Sequence, residues 1–209
     1  MAVVITVAQQ KGGTGKTMLV ANIAAALAGE RRVVVVDIDP QKSLSRWHGL
    51  RRARRQEAAA LGFSDIAGWR LPAELDRLRR DHDVVLIDSP PQLDTDARVA
   101  VRAADLVLVP IQPSAPDLWA AEGTLDLAAQ EKRRAHLMFN RAPAASRLRE
   151  RITAELGVRN LPLLRAALGN RAGFAHAFAA GLGVTEAAPR STAAAELRAL
   201  LDELRELTE

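Results

Sequence analysis

Apolar positions follow two rhythms along the chain. Short unbroken runs rich in valine and isoleucine, such as VVITVA at 3–8 and RVVVVD at 32–37, alternate with longer stretches where leucine and alanine recur every three or four positions. The unbroken runs predict parallel strands covered on both faces, and the longer spacing predicts amphipathic helices. Strands are expected at 3–8, 32–37, 83–88, 105–111 and 136–139, with a weaker one at 158–163. Helices are expected at 16–28, 42–60, 72–80, 94–103, 117–132, 144–156, 173–180 and 192–207. This β–α–β alternation predicts an α/β fold, a doubly wound, mostly parallel sheet with helices on both faces and ligands at the carboxyl ends of its strands. No linker, repeat or low-complexity tract marks a second unit, so residues 1–209 read as a single domain.

Composition narrows the class. With 209 residues, 48% hydrophobic and 26% charged, the chain suits one packed core. It has no cysteine, which excludes disulfides, thiolate metal sites and cysteine-held iron–sulfur clusters and suits a reducing cytoplasm. The start MAVVITVAQQ lacks the basic region of a signal peptide, and no apolar run approaches the ~18 residues of a membrane span. A soluble, intracellular protein is expected. The net charge of +4 is unevenly spread, with ten basic residues against Glu150 and Glu155 between residues 132 and 171. A second basic run, RWHGLRRARR, covers 46–55. Such runs are ordinary solvated helix faces unless their arginines converge, when a polyanion becomes a fitting partner.

The segment QQKGGTGKT, 9–17, follows the first strand and opens the first helix, the setting in which a phosphate-binding loop works. Gly12, Gly13 and Gly15 let consecutive backbone N–H groups face phosphate oxygens, and the helix beginning near Lys16 directs its positive end at the same anion. Lys16 would neutralise the outer phosphates and Thr17 would offer its hydroxyl to magnesium. The usual loop has glycine where Gln10 stands, and it has no counterpart of Lys11, whose charge would crowd Lys16 if both pointed inward. Asp37, Asp39 and Asp88 end or follow strands at the same edge, where a carboxylate can hold metal-bound water or orient an attacking one. Pro40 keeps Asp39 extended and out of the next helix.

The run Lys11-Gly12-Gly13-Thr14-Gly15-Lys16-Thr17 resembles the deviant Walker A box of the ParA/MinD superfamily of ATPases. DIDPQKS (37–43) looks like its first switch, and LIDSPP (86–91) like its Walker B segment and second switch. The resemblance covers essentially the whole chain. It implies ATP and Mg2+ as cofactors, with Lys11, Lys16 and Asp39 carrying hydrolysis and Thr17, Asp39 and Asp88 around the metal. It also implies that Lys11 reaches across a homodimer to nucleotide held by the other subunit. By the same resemblance Asn140, in FNR, reads the adenine edge, while Pro110 and Pro113, in VPIQPS, line the base pocket. One position departs from many relatives. Met18 stands where a second threonine or serine would touch the α-phosphate, leaving only its backbone N–H for that contact.

Within the superfamily, branches that carry metal clusters need cysteines that are missing here. A MinD-like membrane role needs a basic amphipathic tail. The C-terminal stripe of Leu197, Leu200, Leu201, Leu204 and Leu207 instead backs an acidic face, so it should pack on the sheet with no membrane contact. The expectation is a short, ParF-like DNA-partition or cargo-positioning ATPase, cytoplasmic and nucleoid-associated, without an N-terminal helix-turn-helix. ATP would close its homodimer on non-specific DNA, and a separate ParB-like or small centromere-binding partner would stimulate hydrolysis. Arg141, Arg147, Arg165 and Arg171 are the DNA-binding candidates. The competing readings are a MinD-like spatial regulator and an ATP-dependent ligase of the dethiobiotin synthetase kind.

Overall fold

Residues 2–54, 58–92, 94–143 and 146–208 are described by a computed structural model of the chain. Their strands are β1 (Val3–Val7), β2 (Val33–Asp37), β3 (Gly62–Asp65), β4 (Val84–Asp88), β5 (Leu106–Ile111), β6 (Arg134–Ala142) and β7 (Leu163–Gly169). All seven lie parallel in one sheet, in the order β3-β2-β4-β1-β5-β6-β7. Parallel neighbours need crossovers. The helices are α1 (Lys16–Leu27), α2 (Ser43–Arg52), α3 (Leu71–Asp81), α4 (Thr95–Ala103), α5 (Ala115–Gln130), α6 (Arg147–Val158), α7 (Ala172–Ala179), α8 (Val184–Ala187) and α9 (Thr192–Thr208).

Successive side chains of a strand point to opposite faces, so each apolar run feeds two cores. Ile5, Val7, Val33, Val35, Leu106 and Leu108 pack with α1, α2, α7 and α9 on one face. On the other, Val4, Val34, Val36, Val85 and Ile87 meet Leu71 and Leu78 of α3, and Val107, Val109 and Phe139 meet α5 and α6. Each such side chain contributes roughly 1.5–3 kcal/mol when fully buried, enough for the strand pattern to override weak local propensities. Polar caps fix where three helices begin. Asp94, Ser114 and Ser146 accept hydrogen bonds from the N–H groups of Ala97, Asp117 and Arg149 at 2.9, 3.2 and 3.3 Å. The leucine stripe of α9 is buried against the sheet, as its pattern predicts.

Four elements differ from expectation. The helix expected at 42–60 stops at Arg52. There the buried Arg51 guanidinium donates to both Glu186 oxygens (2.8 and 2.7 Å) and to the Ala59 carbonyl (2.8 Å), folding the chain back towards β3. β3 itself, GFSD, is too short and too polar to announce itself. The strand expected at 158–163 is found at Leu163–Gly169, because α6 continues to Val158 and Asn160 then turns through a left-handed conformation (φ 50°). α8 was not expected at all. The start of the helix expected at 144–156 lies outside the described residues, as do Arg55 of the second basic run and the last residue.

The topology decides where a ligand can sit. β1 is central; the chain runs to one side through β2 and β3, returns with β4 between β2 and β1, and then builds outward on the other side through β5, β6 and β7. The loop leaving β1 therefore opens at the crevice where the winding reverses, beside the carboxyl ends of β4 and β5.

Candidate nucleotide site

The loop from Ala8 to Gly15 joins β1 to α1. Gly13 (φ 79°) and Gly15 (φ 87°) adopt the left-handed backbone that glycine tolerates. A side chain at Gly15 would also come within 2.7 Å of the Asn140 amide nitrogen, so strain and contact both demand glycine there. Lys16 is buried, with Nζ donating to the Gln9 carbonyl at 3.0 Å. Burial pushes its ammonium below the usual lysine range, and the Asp88 and Asp39 carboxylates pull it part of the way back. Gly12, Gly13, Gly15, Lys16, Thr17 and Asp39 line one open cleft, the setting a phosphate group would need.

The carboxylates divide into distinct roles. Asp88 and Asp37 end adjacent strands in register, with Asp65 of β3 beyond them. Asp37 is consumed locally: it accepts from the backbone N–H groups of Asp39 (3.1 Å) and Ser45 (2.9 Å) and from the Ser45 hydroxyl (2.6 Å). It shapes the turn that carries Asp39 and anchors the start of α2. Asp39 lines the cleft, with one oxygen held by the Gln41 N–H at 2.9 Å. Asp88 is fully buried, and among the described residues neither of its oxygens completes a hydrogen bond. Burial drives its carboxyl up to about 8, eased by the nearby Thr17 hydroxyl and Lys16 ammonium and aggravated by Asp37 and Asp39. The Thr17 approach falls short of good hydrogen-bond geometry.

A buried carboxylate without partners beside a threonine hydroxyl fits a hard divalent cation. Among the described residues no cluster of three or more His, Asp or Glu could hold a metal alone. Magnesium does not require one, since it keeps several waters and takes phosphate oxygens alongside one or two protein groups.

Lys11 does not join Lys16. Its ammonium turns onto the carboxylate of Asp117 in the first turn of α5. Asp117 also accepts from the Ser114 hydroxyl (2.5 Å) and the Gln112 N–H (3.2 Å). Burial pushes the Asp117 carboxyl up, but hydrogen bonds from Lys11 and Ser114 outweigh that and hold it below its ordinary value. Residues Lys11 and Asp117 are 106 positions apart, and no local pattern links them. The S-x-x-D spacing of 114–117 does mark a helix start, and it was the one available signal for Asp117.

Asn140 lies over the loop rather than free beside it. Its side-chain nitrogen donates to the Thr14 carbonyl at 2.7 Å, and its oxygen accepts from the Arg141 N–H at 3.1 Å. It also borders a second cavity with Asn22, Leu168, Arg171 and Phe174. Pro110 and Pro113 line neither cavity. Pro110 is buried within β5 with its carbonyl towards Gln9, and Pro113 precedes the turn that presents Asp117, so both prolines stand on the Lys11 side.

Of the four candidate DNA arginines, Arg141 and Arg171 border the same second cavity, while Arg147 and Arg165 line neither cavity. Arg141 donates from Nη1 to the Gly13 carbonyl at 3.1 Å, over the loop. Arg171 is clamped by Glu196 (2.5 Å) at the edge of the second cavity, and Arg165 by Glu206 (2.8 Å) and Glu203 (3.5 Å) on α9. Arg147 is exposed at the first position of α6.

A phosphate loop, an orphaned carboxylate and a second lysine held to one side coincide at the switch point of a parallel sheet. The family model for the CobQ/CobB/MinD/ParA nucleotide binding domain matches residues 5–183. The chain belongs to this family. It is 29% identical over 211 residues to the maintenance of carboxysome distribution protein A of Halothiobacillus neapolitanus, covering 97% of this chain and 96% of that one. It is 33% identical over 151 residues to the chromosome-partitioning ATPase Soj of Thermus thermophilus, covering 60% of this chain and 59% of that one. An ATP complex of McdA from Cyanothece has the same fold, with a TM-score of 0.80 at 18% identity over 99% of this chain and 96% of that one. No helix among the described residues is long and apolar enough to cross a membrane.

Proposed function

We propose that this member of the family is an ATP-driven positioning ATPase. Its ATP form pairs as a homodimer, holds non-specific DNA and releases it on hydrolysis. The observation that carries the reading is Lys11, turned out of a loop that Lys16 already fills and held by Asp117 with 39% of its side chain exposed. A lysine stationed there can leave Asp117 for phosphates bound by a second copy, which makes nucleotide occupancy the condition for pairing.

Within one subunit, the loop N–H groups and Lys16 would hold the phosphates, and Asn140 would keep the loop closed from above. Thr17 and Asp88 would hold magnesium, which when bound supplies positive charge against the phosphate oxygens. Asp39 would orient the attacking water, so that ATP and water give ADP and phosphate by positioning and charge more than by a strong base. ATP binding is supported by the family's nucleotide-binding character and by the ATP complex of the McdA neighbour. The cargo reading follows the relative matched from end to end, a carboxysome distribution protein, and favours a large protein assembly. A second reading, segregation of plasmid or chromosome DNA with a ParB-like partner, rests on the shorter match to Soj. A membrane-cycling role is disfavoured by α9, whose apolar stripe is already spent on the core.

The test is retention on non-specific DNA with ATP, with ADP, and with ATP for Lys11→Ala. Retention is expected only for the unaltered protein with ATP. Equal retention in all three would sink nucleotide-gated binding, and ATP turnover indifferent to DNA would favour a metabolic ligase.

A further inference from the structure

Two side chains, Met18 and Arg141, border both the phosphate cleft and the cavity beside Asn140. On the nucleotide reading, with phosphates in the cleft and the nucleoside in the cavity beside Asn140, these two side chains stand next to the α-phosphate. Met18 offers that phosphate no side-chain hydrogen bond. Arg141 offers a guanidinium already aimed at the loop, and among the described residues only one of its five N–H donors, on Nη1, is used, on the Gly13 carbonyl. Its backbone is in the left-handed region (φ 53°), an uncommon conformation for arginine, secured by the Asn140 side chain accepting the Arg141 N–H. The side chain lies across the loop, on the Gly13 carbonyl and beside Gly15.

We propose that Arg141 is a nucleotide-binding residue that grips the α-phosphate, supplying from β6 the contact that Met18 cannot make from α1. The inference rests on the nucleotide reading of the loop and moves Arg141 from the DNA surface to the nucleotide site. A planar, permanently charged fork is suited to phosphate oxygens, and lysine would serve less well.

The experiment measures binding of fluorescently labelled ADP, and competition by AMP, for the wild type, Arg141→Ala, Arg141→Lys and the double variant Met18→Thr/Arg141→Ala. Loss of a charged hydrogen bond predicts affinity for both nucleotides about tenfold or more lower in Arg141→Ala. Arg141→Lys should recover part of it, and so should the double variant, whose new hydroxyl replaces the missing contact. The ligand-free melting temperature of Arg141→Ala should stay at the wild-type value. Wild-type affinity in Arg141→Ala overturns the proposal, and so does a loss that neither rescue restores and that accompanies a fall in melting temperature. A wild type that binds no adenine nucleotide would instead remove the reading on which the proposal stands.

Discussion

At the scale of single residues, the site is organised by where each charge finds its partner. Lys16 is enclosed by the loop, Asp37 by Ser45, and Lys11 by Asp117, while Asp88 has no hydrogen-bond partner among the described residues. The Lys11–Asp117 pair has the most direct consequence for the proposed function, since on that reading Lys11 has to leave this carboxylate before it reaches a second subunit. Asp117→Asn keeps one oxygen, able to accept from the Gln112 N–H while its NH2 faces the Ser114 hydroxyl, and removes the opposing charge. It should shift ATP-dependent pairing to lower protein concentration, by up to about fivefold for each lysine released, the range expected for a partly exposed ion pair. Sedimentation velocity with ATP reads this directly, and pairing that needs more protein would show that Asp117 orients the lysine instead of competing for it. The sequence made Lys11, Lys16, Thr17, Asp39 and Asp88 legible because each sits within a short segment whose spacing carries the chemistry. Asp117 and the position of Arg141 over the loop arise from contacts between distant segments, 106 and 128 positions apart, which no local spacing encodes.

At the scale of elements, the strands nearest the site were readable because unbroken β-branched runs leave little choice of structure. The outer strands were not, since β3 is short and β7, LLRAALG, has a composition that also suits a helix. Pairing with β6 and cover from α9 make β7 a strand, with the Glu203 carboxylate accepting the N–H groups of Arg165 and Ala166 at 2.9 Å each. Between helices, Glu131 at the end of α5 ties down Arg102 (2.7 Å) and Arg98 (2.9 Å) of α4. The Arg102 hydrogen bond, opposed by slight burial and helped by Arg98, holds the Glu131 carboxyl down to about 2, against 4.5 in an ordinary glutamate. A carboxyl depressed in the folded state contributes stability that is complete above its unfolded value and lost as pH falls through the folded one. Glu131→Gln should therefore flatten the decline of melting temperature between pH 4.5 and about 2, with little change in slope near neutrality. Parallel acid profiles for the two proteins would show that this tie contributes nothing measurable.

At the scale of the whole molecule, the excess positive charge matters only where it remains available. Glu196, Glu203 and Glu206 of α9 neutralise Arg171 and Arg165, and the loop occupies Arg141. By contrast Arg147 and Arg151, one turn apart on exposed positions of α6, make no ion pair among the described residues. A polyanion gains most from cations that need not abandon an existing partner, so α6 is the element expected to meet DNA phosphates. Counterion release makes this measurable, because the logarithm of affinity falls against the logarithm of salt with a slope of about −0.9 per phosphate contact on B-form DNA. If ATP brings two α6 helices onto one surface, Arg147→Ala removes two contacts and the slope for the ATP form should lessen by about 1.8. It should lessen by about 0.9 if a single subunit binds. Arg165→Ala should leave the slope unchanged. Fluorescence anisotropy on a non-specific duplex at several salt concentrations separates these outcomes. A change for Arg165 without one for Arg147 would place the DNA on α9 and β7, against the acidic face that now holds that arginine.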